Sequence, residues 1–210
     1  MSTSAQTVYL IDDDPGVRDS LSMLLDLRGF RTRAFASAED FLAALDPGWT
    51  GCAVIDLRMP GMSGGALQEE MLRRAVPQPV VIITAHGDIA AARATLKAGA
   101  VDFIEKPIDD EQLVIAIRTA FDRDAETQRD VARAAELATR LDRLTDRERE
   151  VLDRVIAGRH NREIAAELGI SPRTVEVYKA RMMEKLQVRR VPDLVRLVLE
   201  SKAETTVQHA

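Results

Sequence analysis

The sequence predicts a doubly wound α/β unit of five parallel strands, followed by a helical connector and a small all-α unit. Over residues 1–121, short β-rich runs alternate with helix-length amphipathic stretches, the pattern of successive βαβ units around a parallel sheet. Beyond residue 144 the β-rich runs stop, and about four short helical stretches take their place.

The five strands fall at Val8–Ile11, Arg31–Phe35, Cys52–Leu57, Val80–Thr84 and Asp102–Ile104. The first, third and fourth are almost continuously apolar, as strands covered by helices on both faces must be, whereas the second and fifth read as peripheral. Helix boundaries are legible between them. Ser37 is placed to cap a helix carrying Phe41, Leu42 and Leu45; Gly29 and Gly99 fall at helix ends. Asp109 precedes Leu113, Val114, Ile117 and Phe121, which recur at helical spacing. Residues 122–143 are Ala-rich and charged and lack Pro and Gly, so the connector reads as helix rather than flexible tether. Val131, Ala134, Ala138 and Leu141 repeat along it at spacings of three and four, which fits either a short coiled-coil seam between two chains or a solvated helix. The second unit spans 144–201, and residues 202–210 form a tail without structural signal.

The composition suits a water-soluble chain: 46% hydrophobic and 30% charged. No apolar run approaches the roughly 20 residues that cross a bilayer. The opening MSTSAQT has neither the basic region nor the apolar core of a signal peptide. These features predict a cytoplasmic protein without a membrane partner. Cys52, the single cysteine, has no disulfide partner within the chain and lies in an apolar run, so it reads as a core residue. Charge divides unevenly. Residues 1–121 carry 11 basic and 17 acidic side chains, whereas residues 145–200 carry 12 and 10. An acidic first unit and a mildly basic second one suggest different partners.

Ligands of a parallel α/β sheet bind at the carboxyl ends of its strands. Those ends carry Asp12 and Asp13 after the first strand, Asp56 on the third, Thr84 on the fourth, and Lys106-Pro107 after the fifth. Three carboxylates meeting in one pocket raise one another's pKa unless a cation neutralises them. Hard oxygen ligands imply Mg²⁺, which keeps waters and accepts a phosphate oxygen. An ionised Asp56 can then attack a phosphoryl donor, with the Thr84 hydroxyl and Lys106 ammonium holding the transferred oxygens. The cluster reads as a phosphorylation site.

In the second unit, Thr145 starts a helix with Glu148 three residues on. Asn161 is placed to cap a helix through Leu168, Gly169 makes a turn, and Ser171-Pro172 opens another helix. Helix, glycine turn and helix give the helix-turn-helix plan. On the last of these, Val175, Tyr178, Met182 and Leu186 share one face and belong to the core. The opposite face carries Arg173, Glu176, Val177, Ala180, Arg181 and Glu184. Arg can fork to guanine, Glu can accept from cytosine, and Val or Ala can meet a thymine methyl; Lys179, nearer the edge, suits phosphate. With Thr174 at the helix start, the candidate DNA contacts are Arg173, Thr174, Glu176, Val177, Lys179, Ala180 and Arg181.

The motifs IDDD (11–14), VIDLRMPGMSG (54–64), VIITAHG (81–87) and DFIEKP (102–107) resemble the receiver domain of two-component response regulators, which has a flavodoxin-like fold. TDREREVL, NREIAAELGIS and SPRTVEVYKARMMEKL similarly resemble a LuxR-type helix-turn-helix, and the combination resembles FixJ-type regulators. The resemblance implies Asp56 as phosphoacceptor. It implies Asp13, Asp56 and the Arg58 backbone carbonyl as direct Mg²⁺ ligands, with Asp12 acting through the second shell or a water. Thr84 and Phe103 match the family's switch pair, and Lys106 its phosphate contact before a proline expected in cis. Phe103 lacks the hydroxyl of the Tyr found in many receivers, so it signals by burial. Asp14 exceeds the family's two-acid pattern; capping the first helix is its simplest role. The last helix, near 192–199, is expected to pair two DNA-bound copies through Leu194, Leu197 and Val198.

The expected partners are a histidine kinase, promoter DNA, a second copy after phosphorylation, and RNA polymerase as a further candidate. Two other classes remain open at this stage: a phosphotransferase or phosphatase with an Asp nucleophile, and a relay whose C-terminal helices bind protein. The first lacks any segment for a substrate-binding cap. The second would leave no DNA footprint.

Overall fold

The computed structural model describes residues 6–85 and 89–197. Among these, the first unit holds β1 (Thr7–Ile11), α1 (Pro15–Leu27), β2 (Arg31–Phe35), α2 (Ala38–Ala44), β3 (Gly51–Asp56), α3 (Gly64–Arg73), β4 (Val80–Thr84), α4 (Ile89–Lys97) and β5 (Asp102–Glu105). The sheet is wholly parallel, in the order β2-β1-β3-β4-β5. This is the flavodoxin-like order, and β2 and β5, the peripheral strands of the sequence reading, lie at its edges.

Strand alternation divides the core into two layers. Tyr9, Ile11, Ala53, Ile55, Val80 and Ile82 pack with Phe41 of α2 and Leu67 and Met71 of α3. Val8, Leu10, Cys52, Val54, Val81 and Ile83 face the other way, against Leu21 and Leu25 of α1 and Leu113 and Ile117. Cys52 is fully buried, and burial pushes its thiol pKa up, so it is a core residue.

The expected caps form. Ser37 Oγ accepts from the Asp40 amide at 3.0 Å, Asp109 Oδ1 from the Gln112 amide at 2.9 Å, and Asp14 Oδ1 from the Gly16 amide at 2.8 Å. Asp14 therefore caps α1. The fifth helix and the connector are one continuous element, α5 (Asp110–Asp142). The first compact unit runs to Gln128, past the boundary at 121 read from the sequence. Asp124, 1% exposed, explains the extension: its Oδ2 accepts from the Gly51 amide at 2.9 Å and from Gln6 Nε2 at 3.4 Å. Along the connector Val131 and Ala138 are exposed and Leu137 is buried.

The second unit holds the end of α5 with α6 (Asp146–Ile156), α7 (Asn161–Leu168) and α8 (Pro172–Lys185). Thr145 and Glu148 form a capping box at α6. Gly169 closes α7 in the left-handed region (φ 66°), and Ser171 caps α8 with Pro172 in its first turn. Val175, Met182 and Leu186 are buried with Val151, Leu152 and Ile164. Residues 191–197 are helical. Leu194 is fully buried in this core, so it cannot serve the exposed pairing patch expected of it; one of three apolar positions faces inward to close the core. Val198, Leu199 and the tail lie outside the described residues.

Candidate functional site

Where the order of a doubly wound sheet reverses, the chain leaves neighbouring strands in opposite directions and opens a crevice. Here that point lies between β1 and β3. Their register aligns Ile11 with Ile55, so Asp12 and Asp56 emerge side by side. Asp56 pairs in turn with Ile83 and Thr84 with Glu105, which brings Thr84 and Lys106 to the same edge.

Lys106 Nζ donates to Asp56 Oδ1 at 2.6 Å and to Asp12 Oδ2 at 3.3 Å. Asp12 and Asp56 are only 3% and 5% exposed. The second oxygen of each is also held: Asp12 Oδ1 accepts from the Asp14 amide (2.8 Å), and Asp56 Oδ2 from the Arg58 amide (2.7 Å). Arg58 thus aims its N–H at Asp56, a contact the sequence reading did not anticipate. Arg18 adds a 2.7 Å donation to the Asp12 carbonyl.

Burial raises the Asp56 pKa, and the Asp12 charge adds to the rise, against the lowering influence of Lys106 and the Arg58 amide. Burial also opposes the charge on Lys106, but the Asp56 and Asp12 carboxylates outweigh it and raise its pKa. One ammonium facing two carboxylates leaves a net negative pocket with oxygen donors, a set that fits a hard divalent cation. Of the three carboxylates expected here, Asp12 and Asp56 are buried beside Lys106, whereas Asp13 is exposed. Among the described residues no three acidic, His or Cys side chains form a metal-binding group. Lys106 occupies the place between the two buried acids instead.

Thr84 is buried, with its hydroxyl 3.4 Å from the Ala85 carbonyl. Phe103 is half-buried against the layer containing Ile82, its partner in register. The Lys106–Pro107 peptide is cis. Gly64 is a further site residue: a Cβ there would overlap the Asp56 carbonyl oxygen. Two glycines in SGG, at the start of a helix they disfavour, were the available signal.

In the second unit Arg173, Glu176, Val177, Ala180 and Arg181 are exposed on α8, on the side opposite Val175 and Met182. Thr174 is drawn into the helix start, its hydroxyl 2.8 Å from Ser171 Oγ. Asn161 does not cap α7. His160 holds the cap position, with its amide donating to Glu163 Oε2 (2.7 Å), and Asn161 Oδ1 accepts from Lys179 Nζ at 3.0 Å.

A lysine-bridged acid pair at the switch point of a five-stranded parallel sheet, joined to a helix-turn-helix unit, defines a signalling receiver coupled to a DNA-binding module. Comparison with known proteins agrees. Residues 8–118 match the response regulator receiver domain, and residues 142–198 match the bacterial regulatory proteins of the luxR family. The chain is 44% identical over 200 residues to the transcriptional regulatory protein FixJ of Bradyrhizobium diazoefficiens, covering 95% of this chain and 97% of that one. It is 44% identical over 193 residues to FixJ of Rhizobium meliloti, covering 92% and 95%. Among solved structures, the response regulator StyR matches with TM-score 0.81 at 41% identity, over 94% of this chain and all of that one. Full-length FixJ from B. japonicum matches with TM-score 0.59 at 42% identity, over 96% and 99%.

The chain belongs to the FixJ-type response regulators. It is a transcriptional regulator of a two-component system and not an enzyme; its receiver implies a histidine kinase partner and its LuxR-type domain implies DNA binding.

Proposed function

We propose that this regulator is switched by phosphorylation of Asp56 and binds promoter DNA as a dimer in the cytoplasm. The observation that carries this reading is the Lys106 ammonium shared between Asp56 and Asp12 at the sheet's switch point. An Asp56 oxygen bonds to phosphorus as the phosphorus–nitrogen bond to the kinase histidine breaks. Lys106 and the Thr84 hydroxyl then hold the transferred oxygens. Asp13, Asp56 and the Arg58 backbone carbonyl, with Asp12 through water, would hold Mg²⁺, which would supply positive charge against the phosphoryl oxygens.

The new phosphoryl group adds roughly 1.5–2 negative charges. Drawing Lys106 and Thr84 toward it favours a conformation in which Phe103 moves inward and the surface of α4 and β5 changes. Both conformations pre-exist, and phosphorylation shifts their populations. Two copies pair on the altered surface and present their α8 helices to half-sites about one duplex turn apart. Arg173, Glu176, Val177, Ala180 and Arg181 read bases, Lys179 meets phosphate, and RNA polymerase is the partner at the promoter.

Light scattering on a sizing column tests this reading, with wild type and Asp56→Asn in Mg²⁺, with and without beryllofluoride. Doubling of mass only in wild type with the phosphoryl mimic is the expected result. Equal masses in all four samples would overturn phosphorylation-driven pairing.

A further inference from the structure

We infer that Asn161 is a positioning residue for DNA binding: it holds the Lys179 ammonium in place without neutralising it. The inference rests on the reading of α8 as the DNA-contacting helix. Several half-buried cations of this protein are tied to carboxylates: Lys106 to Asp56, Lys185 to Glu148, and Arg154 to Glu167. Lys179 is different. Its Nζ donates to the neutral amide oxygen of Asn161 at 3.0 Å, and no carboxylate lies within ion-pairing distance among the described residues. The amide accepts one ammonium hydrogen and leaves two others, with the full positive charge, for a second acceptor.

The location suits that acceptor. Asn161 is the first residue of α7, and Lys179 reaches it from the middle of α8. The two residues line a cleft of about 500 Å³ with Gly158, His160 and Val191. In a helix-turn-helix the first helix crosses the DNA backbone while the second enters the groove. A cation bridging the start of the first helix and the middle of the second stands where the two approaches meet. A carboxylate at position 161 would hold the same ammonium but compete with phosphate for it. A neutral acceptor restricts the long lysine side chain before DNA arrives and so lowers the ordering cost of binding.

The test uses the full chain, activated with Mg²⁺ and beryllofluoride. The probe is a mixed-sequence duplex of about 30 base pairs, with anisotropy followed from about 50 to about 200 mM salt. Lys179→Ala should weaken binding and make the slope of log affinity against log salt less steep by about 1. Asn161→Ala should weaken binding roughly 3- to 10-fold with the slope retained, because the cation is still present but unheld. Asn161→Asp should lose the slope increment as Lys179→Ala does, which a merely structural role would not produce. Added to Lys179→Ala, the Asn161→Ala change should cost nothing further. Thermal melts identify any variant that fails to fold, and Asn161→Asp carries the test if Asn161→Ala does.

An equal cost of Asn161→Ala with and without Lys179, or no cost in wild type, would overturn the inference. So would a Lys179→Ala variant that binds like wild type, although DNA binding itself would stand. Failure of wild type to bind any duplex would instead remove the DNA reading.

Discussion

The ammonium of Lys106 lies 2.6 Å from the carboxylate of Asp56, and it is the cation that the chain itself supplies to a buried acid pair. Asp56 nevertheless keeps a raised pKa, so its ionised form is less favourable in the fold than in the unfolded chain. Two predictions rest on that balance.

Asp56→Asn should raise the melting temperature of the receiver unit at neutral pH in the absence of divalent cations. The sign follows from a carboxylate whose folded pKa lies above its unfolded value. Wild type gains stability as pH falls through that window, whereas the amide variant does not. The advantage of Asp56→Asn should therefore shrink on acidification and vanish below the ordinary carboxylate range, as measured by melts in chelator across pH.

Lys106→Ala leaves Asp12 and Asp56 buried without a counter-ion. Its metal-free Tm should fall, and added Mg²⁺ should raise it by more than it raises wild type, since binding to the folded state is linked to stability. Equal Mg²⁺ shifts in the two proteins would mean that Lys106 and the metal do not share a charge balance.

Gly64→Ala places a methyl group against the Asp56 carbonyl and must push the β3–α3 turn aside. The expected cost is roughly 1–3 kcal/mol, accompanied by slower phosphoryl acceptance at Asp56, followed by intact mass with a small acyl phosphate donor. Gly65→Ala, which meets only ordinary van der Waals contact with Thr95, should leave both nearly unchanged.

In the second unit Glu148 is 3% exposed and accepts from Lys185 Nζ (2.6 Å) and the Thr145 amide (2.8 Å). Burial works to raise its pKa, but these donors win and hold it below the usual value. Glu148 therefore contributes stability that is present above its unfolded pKa and lost as pH falls through the depressed folded value. Glu148→Gln should cost roughly 1–3 kcal/mol at neutral pH and much less under acid conditions, checked by urea unfolding at both.

The sheet was legible because its three inner strands are apolar on both faces while its edge strands are not, and because acids, threonine and lysine fall at successive strand ends. The caps at Ser37, Asp109, Thr145 and Ser171 were legible because side-chain oxygens next to helix starts do local work. What escaped was long-range or directional. Nothing in the spacing of Asn161 distinguishes a cap from an acceptor for Lys179 eighteen residues later. Leu194 carries the same apolar character whether it faces a partner or its own core. Asp13 follows Asp12 directly, yet one is exposed and the other buried, since residues that succeed one another at a strand end do not share a direction.

The Asp124–Gly51 bond bears on how such proteins can be recombined. Gly51 opens the strand that Asp56 ends, and Asp124 belongs to the helix that leads out of the receiver. A gene fusion that exchanges output modules at residue 121 would discard the carboxylate that satisfies the Gly51 amide, exposing the far end of the strand that carries Asp56. A joint after residue 128 keeps it. The transferable cassette is thus longer than the sheet and its packing helices suggest, and its last residues come from what looks in the sequence like spacer.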